Sequence, residues 1–138
     1  MLKQICMLVV IGVCVSCSNN NKMEPRLSPG DQPPEKFNLA VNLERLNKRL
    51  PEFVLNGIRF DSARAGTEGN VVFYYSLTDL QLSDIQPGEF KKLHQAEHCA
   101  TYKTSPTWFI EIFRLEHIPI RYQWFDRNGA EICSYQCE

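Results

Sequence analysis

Leucines at positions 39, 43, 46 and 50 recur at spacings of four, three and four, which aligns them along one side of a helix. Pro51 cannot continue that helix, so the pattern predicts a first amphipathic element that begins near Phe37 and stops before the proline. Beyond it the period changes. "FVLNGIRFDSARA" and "NVVFYYSL" are dense in β-branched and aromatic residues and flank the turn-forming "GTEGN", which predicts two strands joined as a hairpin. "PGEFKKLHQAEHCATY" opens on Pro87 and reads as a second helix, and "SPTWFIEIFRLEH" reads as a third, with Ser105 as N-cap and Pro106 at the first helical position. "IPIRYQWF" and "AEICSYQ" are strands joined through Asp126-Arg127-Asn128-Gly129, whose Asn-Gly pair is a hairpin signal. The predicted order is α-β-β-α-α-β-β. It describes an α+β single domain, an antiparallel sheet of two hairpins with helices packed on one face.

The N-terminal stretch has a different character. "MLKQICMLVVIGVCVS" carries one positive side chain, Lys3, then an apolar run from Ile5 to Val15 and a small residue, Ser16. That is the layout of a secretory signal peptide over residues 1–16, and the run falls short of the roughly 20 apolar residues of a permanent span. "CVSC" resembles the bacterial lipobox, which implies cleavage before Cys17 and lipidation of its sulfur, although Cys14 stands where that motif usually has an aliphatic residue. The alternative is an ordinary cleaved signal that leaves Cys17 as a thiol. Ser18 rather than Asp after the cysteine implies, within the lipoprotein class, transfer to the outer membrane. Residues 17–36 are polar and hold four of the eight prolines, so they read as a tether. The folded domain is expected over residues 37–138.

Charge adds little and cysteine adds more. With 15 basic and 16 acidic residues the net charge is −1, and loss of Lys3 takes it one lower; neither value supports affinity for nucleic acid. Once the signal is removed and Cys17 is lipidated, Cys99, Cys133 and Cys137 remain in an oxidising compartment. Pairing Cys99 with Cys137 closes a loop of roughly 38 residues, worth on the order of 4 kcal/mol of chain entropy. A Cys133–Cys137 bridge closes a very short loop and adds little. The favoured pair is therefore Cys99–Cys137, with Cys133 free or buried as a small apolar residue.

"LNKRLPEFVLNGIRFDSARAGTEGNVVFYYSL", a mid-chain cysteine and "IPIRYQWFDRNGAEICSYQC" resemble a group of small exported bacterial domains, many of uncharacterised function. The resemblance spans most of residues 43–137. It implies the order of elements and supports the Cys99–Cys137 bridge, and it implies no catalytic residue. Such domains usually have Gly at the end of the last helix, where this chain has His117.

"HQAEH" places His94, Glu97 and His98 in the H-x-x-E-H order of the inverzincin metallopeptidases. Both histidines project from one side of a helix and could grip zinc, with Glu97 as general base to a metal-bound water. Against this, Phe90, Leu93, Ala96 and Ala100 define an apolar face that contains Glu97, with the histidines on its rim. Inverzincins also draw a third ligand from a distant helix of a much larger domain, and Glu111, Glu116 and His117 complete no such pattern. The motif therefore reads as the polar flank of a packed helix. A zinc-dependent hydrolase is the alternative function, and zinc is the only cofactor it would bring.

Strand parity offers one more surface. If Ile118, Ile120, Tyr122 and Trp124 face the helices, Arg121 and Gln123 face outward, joined by Tyr74 and Arg59 from the first hairpin. Tyr and Arg are favoured at interfaces, so this face suits an envelope protein or glycan partner; otherwise it is an ordinary solvated sheet face. The sequence thus describes a membrane-anchored envelope lipoprotein with a non-catalytic binding or accessory domain. An immunity or inhibitor protein against an envelope-acting toxin fits the same size, export and anchoring.

Overall fold

Asn38 starts the first helix. Its side chain accepts the Val41 N–H at 3.1 Å, and helix α1 (Leu39–Asn47) follows with Leu43 and Leu46 of the predicted stripe buried. The computed structural model describes residues 36–138; the signal peptide, Cys17 and nearly all of the tether lie outside the described residues. At the helix end the Asn47 side-chain amide donates to the Ala63 carbonyl at 2.7 Å and accepts the Ala63 N–H at 2.9 Å. It stands in for a strand partner just where the edge strand has run out.

That edge strand is the first departure from the expectation. "FVLNGIRFDSARA" is two strands, β1 (Glu52–Leu55) and β2 (Ile58–Ala65), folded back on each other at Asn56-Gly57. Gly57 has φ 76°, the left-handed region that only glycine enters freely, and its carbonyl accepts the Thr78 N–H at 2.9 Å. β3 (Val71–Leu77) pairs antiparallel with β2, and a bulge between Phe60 and Ser62 keeps both Phe60 and Ala63 on the buried side.

A 3₁₀ turn (Leu82–Asp84), α2 (Pro87–Thr104) and α3 (Trp108–Leu115) lead to β4 (Ile120–Phe125) and β5 (Glu131–Cys137). The sheet order is β1-β2-β3-β4-β5. β4 and β5 form the predicted hairpin, but β3 and β4 run parallel, so the sheet is mixed and not wholly antiparallel. The two helices carry the chain back to the end of the sheet at which β3 began, and a strand that starts there must run the same way. None of the described helices is long and apolar enough to cross a membrane.

Ser105 is not the N-cap of α3. It closes α2, and its hydroxyl accepts the Thr107 N–H at 3.2 Å, so Thr107 takes the cap position. All three helices pack on one sheet face, where Leu43, Leu46, Tyr102, Ile110 and Phe113 meet Phe60, Phe73, Tyr75, Tyr122 and Trp124 in one core. α3 ends with His117 at φ 55°, while the Ile118 N–H reaches back to the Phe113 carbonyl at 2.8 Å. This is the left-handed helix stop that glycine usually supplies. Replacement His117→Gly should therefore raise stability by about 1 kcal/mol, read as a higher midpoint in urea; an unchanged or lower midpoint would mean that the imidazole contributes packing that offsets the strain.

Candidate functional site

α2 turns an unexpected side to the sheet. Phe90, His94 and His98 face inward at helical spacing and Tyr102 is buried, while Leu93 is 58% exposed and Ala96, Glu97 and Ala100 are exposed as well. The histidines are thus on the packed face and not on its rim, where hydrophobicity had put them; Phe90 is common to both faces. The cause lies in what they meet. Tyr75, Tyr122, Trp124 and Tyr135 present an aromatic floor with polar tips, and an imidazole matches it better than an aliphatic chain because it can both stack and hydrogen-bond.

His98 lies over Tyr122 with ring centroids 4.2 Å apart and nearly parallel to Trp124, at 5.8 Å and 9°. His94 and Phe90 cover the rest of Trp124 at 4.9 and 5.1 Å. The Trp124 indole N–H donates to the Tyr135 hydroxyl at 3.0 Å, and that oxygen lies 2.8 Å from His98 Nδ1. Burial lowers the His98 pKa to about 4, with the nearby His94 acting in the same direction. Burial also lowers that of His94, opposed by Glu97. Glu97 Oε2 is 3.8 Å from His94 Nδ1, but its side chain is 62% exposed.

The H-x-x-E-H residues therefore do not form a metal centre as they stand. Among the described residues no group of three or more His, Cys, Asp or Glu side chains is placed to hold a metal ion, and His98 Nδ1 is engaged by Tyr135. A hydrolytic zinc needs three protein ligands and an open position, which this donor set does not supply.

Next to His98 in the chain, Cys99 is bonded to Cys137 across a Cα separation of 4.9 Å. The bridge fastens the second half of α2 to edge strand β5. Cys133 is a free, half-buried thiol, its pKa raised chiefly by burial.

At the opposite edge the structure opens. A groove of about 360 Å³ runs between β1 and helices α2 and α3, with Val54 and Leu55 on one wall, Phe109 and Ile110 on the other, and Tyr75 and His98 among its lining residues. A second hollow, about 540 Å³, shares Val54, Tyr75, Ser105, Thr107 and Phe109 with it and extends toward Leu46 and Trp108. Phe53, Val54 and Leu55 are 65%, 44% and 67% exposed on the strand that, among the described residues, is the sheet edge, and Val54 and Leu55 line a mostly apolar trough. The sequence reading missed them because it merged β1 with β2, although Asn56-Gly57 is the same hairpin signal that it used at Asn128-Gly129.

Arg59, Tyr74, Arg121 and Gln123 do share the helix-free face of the sheet, Tyr74 directly beside Gln123. Their polar groups have local partners. Arg59 Nε is 2.5 Å from Asp61 Oδ1, and Asp61 also accepts the Ser76 hydroxyl. Arg121 donates to Ser134 at 3.3 Å and Gln123 to Glu131 at 3.2 Å. Tyr74 stacks with Phe125, centroids 6.3 Å apart, under the Arg64 guanidinium.

No family model matches this chain, and no curated protein matches it. Its fold overlays on the pilotin of the Vibrio vulnificus type 2 secretion system with a TM-score of 0.51 and 14% identity, over 71% of this chain and 84% of the pilotin. A Pseudomonas aeruginosa protein described as secreted overlays with a TM-score of 0.48 and 11% identity, over 70% of this chain and 85% of the other. At these identities the likeness to the pilotin is one of fold, and the second overlay is too loose to carry an argument.

The low pKa of His98 has a signed consequence for stability. Folding favours neutral His98, whereas the unfolded chain protonates it near pH 6.5, so this contribution is present above pH 6.5 and is lost as pH falls toward about 4. The loss should approach roughly 3 kcal/mol and be largely absent in His98→Gln. Urea midpoints at pH 7 and pH 4.5 for both proteins measure it; equal acid losses would place the sensitivity elsewhere.

Proposed function

We propose that the chain is a lipid-anchored protein of the bacterial cell envelope whose domain binds a protein partner and performs no chemistry on it. On this reading residues 1–16 are removed, Cys17 carries the lipid, residues 17–36 form the tether and the domain is held at the outer membrane. The observation that carries the binding role is the apolar trough lined by the exposed Val54 and Leu55. Hydrophobic surface that stays open on a small, otherwise well-packed domain marks an interaction site. The fold shared with a pilotin of a type 2 secretion system supports an accessory role beside envelope machinery.

The helix-free face is the weaker of the two surfaces. A protein or glycan that docked on Arg59, Tyr74, Arg121 and Gln123 would first have to break the pairs these side chains already make, and desolvating them costs affinity. The trough imposes no such exchange over most of its surface.

Two experiments test these assignments. Palmitate should label the wild type in growing cells and should not label Cys17→Ala; equal labelling of both would remove the lipid anchor. A benzophenone photoprobe at Leu55 should form a discrete protein adduct in intact cells, whereas one at Tyr74 should not. The reverse pattern would move the binding surface to the helix-free face.

A further inference from the structure

Among the polar side chains that line the trough, His98 has its chemistry fixed by the groups behind it. An indole N–H can only donate, so the Tyr135 hydroxyl oxygen accepts from Trp124. Tyr135 is itself 5% exposed, and among the described residues His98 Nδ1 is the only acceptor within reach of its hydroxyl hydrogen. A buried hydroxyl that leaves its hydrogen unused carries the cost of an unmade hydrogen bond. The hydrogen therefore goes to His98, whose Nδ1 must be a bare lone pair. A neutral imidazole with Nδ1 bare carries its proton on Nε2. Trp124, Tyr135 and His98 thus form a directed relay with an N–H at its far end. That N–H has no partner among the described residues, and His98 is part of the trough lining.

We infer that His98 is the hydrogen-bond donor through which the trough selects its occupant, a neutral apolar polypeptide segment that presents an amide carbonyl to Nε2–H. This rests on the binding role proposed above and names the chemistry of what binds there.

The charges around the trough decide between classes of apolar ligand. Glu97 lies in the lining beside His94 and His98, while the adjoining hollow is bordered by one charge of each sign, Arg49 and Glu52. His98 faces Tyr75, Tyr122, Trp124 and Tyr135 across the interface and His94 along its own helix. No Lys or Arg lines the part of the trough that contains His98. A carboxylate or phosphate would therefore meet a neutral donor with a glutamate beside it, and would lose its hydration without gaining a cation. A bare acyl chain would leave Nε2–H unpaired. A peptide carbonyl flanked by apolar side chains satisfies both requirements, since it is uncharged, accepts one hydrogen bond and brings hydrocarbon for Val54, Leu55 and Phe109.

The test uses the oxidised mature chain from residue 17, kept free of lipid by Cys17→Ser and labelled throughout with nitrogen-15 and carbon-13. Its spectrum in the absence of any ligand should show His98 with Nδ1 as acceptor and the proton on Nε2; the opposite tautomer would overturn the inference at once. Two probes are then compared, N-acetyl-leucine N-methylamide as a neutral amide and octanoate as an anionic acyl chain. The capped leucine should shift signals of Leu55 and Phe109 together with the His98 Nε2–H signal, and should bind about tenfold more tightly than octanoate. In Tyr135→Phe, which loses only a hydroxyl, the tautomer should become mixed and capped-leucine affinity should fall about fivefold. Shifts at Leu55 and Phe109 with an unmoved His98 N–H, or tighter binding of octanoate, would overturn the donor role and leave the trough standing as a binding site. No shift at Leu55 or Phe109 with either probe would overturn the trough and the inference together.

Discussion

Trp124 is 1% exposed beneath α2, and its ring meets Phe90, His94 and His98 from above and Tyr75 from the neighbouring strand at 4.8 Å. This stack sets where α2 can lie. A helix that rests on flat rings can slide unless something directional holds it, and here two things do. The relay from Trp124 through Tyr135 to His98 fixes the rotation of α2, and the Cys99–Cys137 bridge fixes its height against β5. α3 packs beside it through Phe109 and Phe113 on Phe73. The helical wall of the trough is thus determined by contacts made on the side of the sheet away from β1.

The sequence readily yields what is local. The leucine stripe of α1, the turn at Asn128-Gly129, the alternation along β3 and β4 and the helical character of residues 87–104 all follow from neighbours within a few positions. What it withholds is set by distant residues. Leu93 outranks a histidine on any scale of hydrophobicity, yet it points to water while His94 and His98 are packed. The surface that makes this choice comes from positions 75, 122, 124 and 135, which no window around α2 contains. The parallel pairing of β3 with β4 is hidden for the same reason, since both hairpins read correctly alone and their relative direction depends on where two intervening helices deliver the chain.

A similar limit applies to the site. Arg59, Tyr74, Arg121 and Gln123 were assigned to one sheet face by parity, and parity does place them there. It cannot reveal that Asp61, Ser134 and Glu131 already hold three of them, because those partners belong partly to other strands and to a bulged register. The trough was illegible for a smaller reason. Two strands read as one erase an edge, and the exposed Phe53, Val54 and Leu55 then seem to be interior residues of a longer strand.

The two edges of the sheet are managed in opposite ways. β5 is stapled to α2 by a disulfide and contributes Tyr135 to the buried relay, so it cannot separate without breaking the core. β1 has four residues, pairs among the described residues only with β2, and is interrupted by an irregular register between Phe53 and Leu55. Stability within a domain is not uniform, and short, exposed, singly paired elements open at the least cost. The adaptable wall of the trough is therefore the strand that carries its exposed hydrophobic residues, while the rigid wall carries the donor His98. That division lets an occupant be chosen by chemistry at His98 and accommodated in shape at β1.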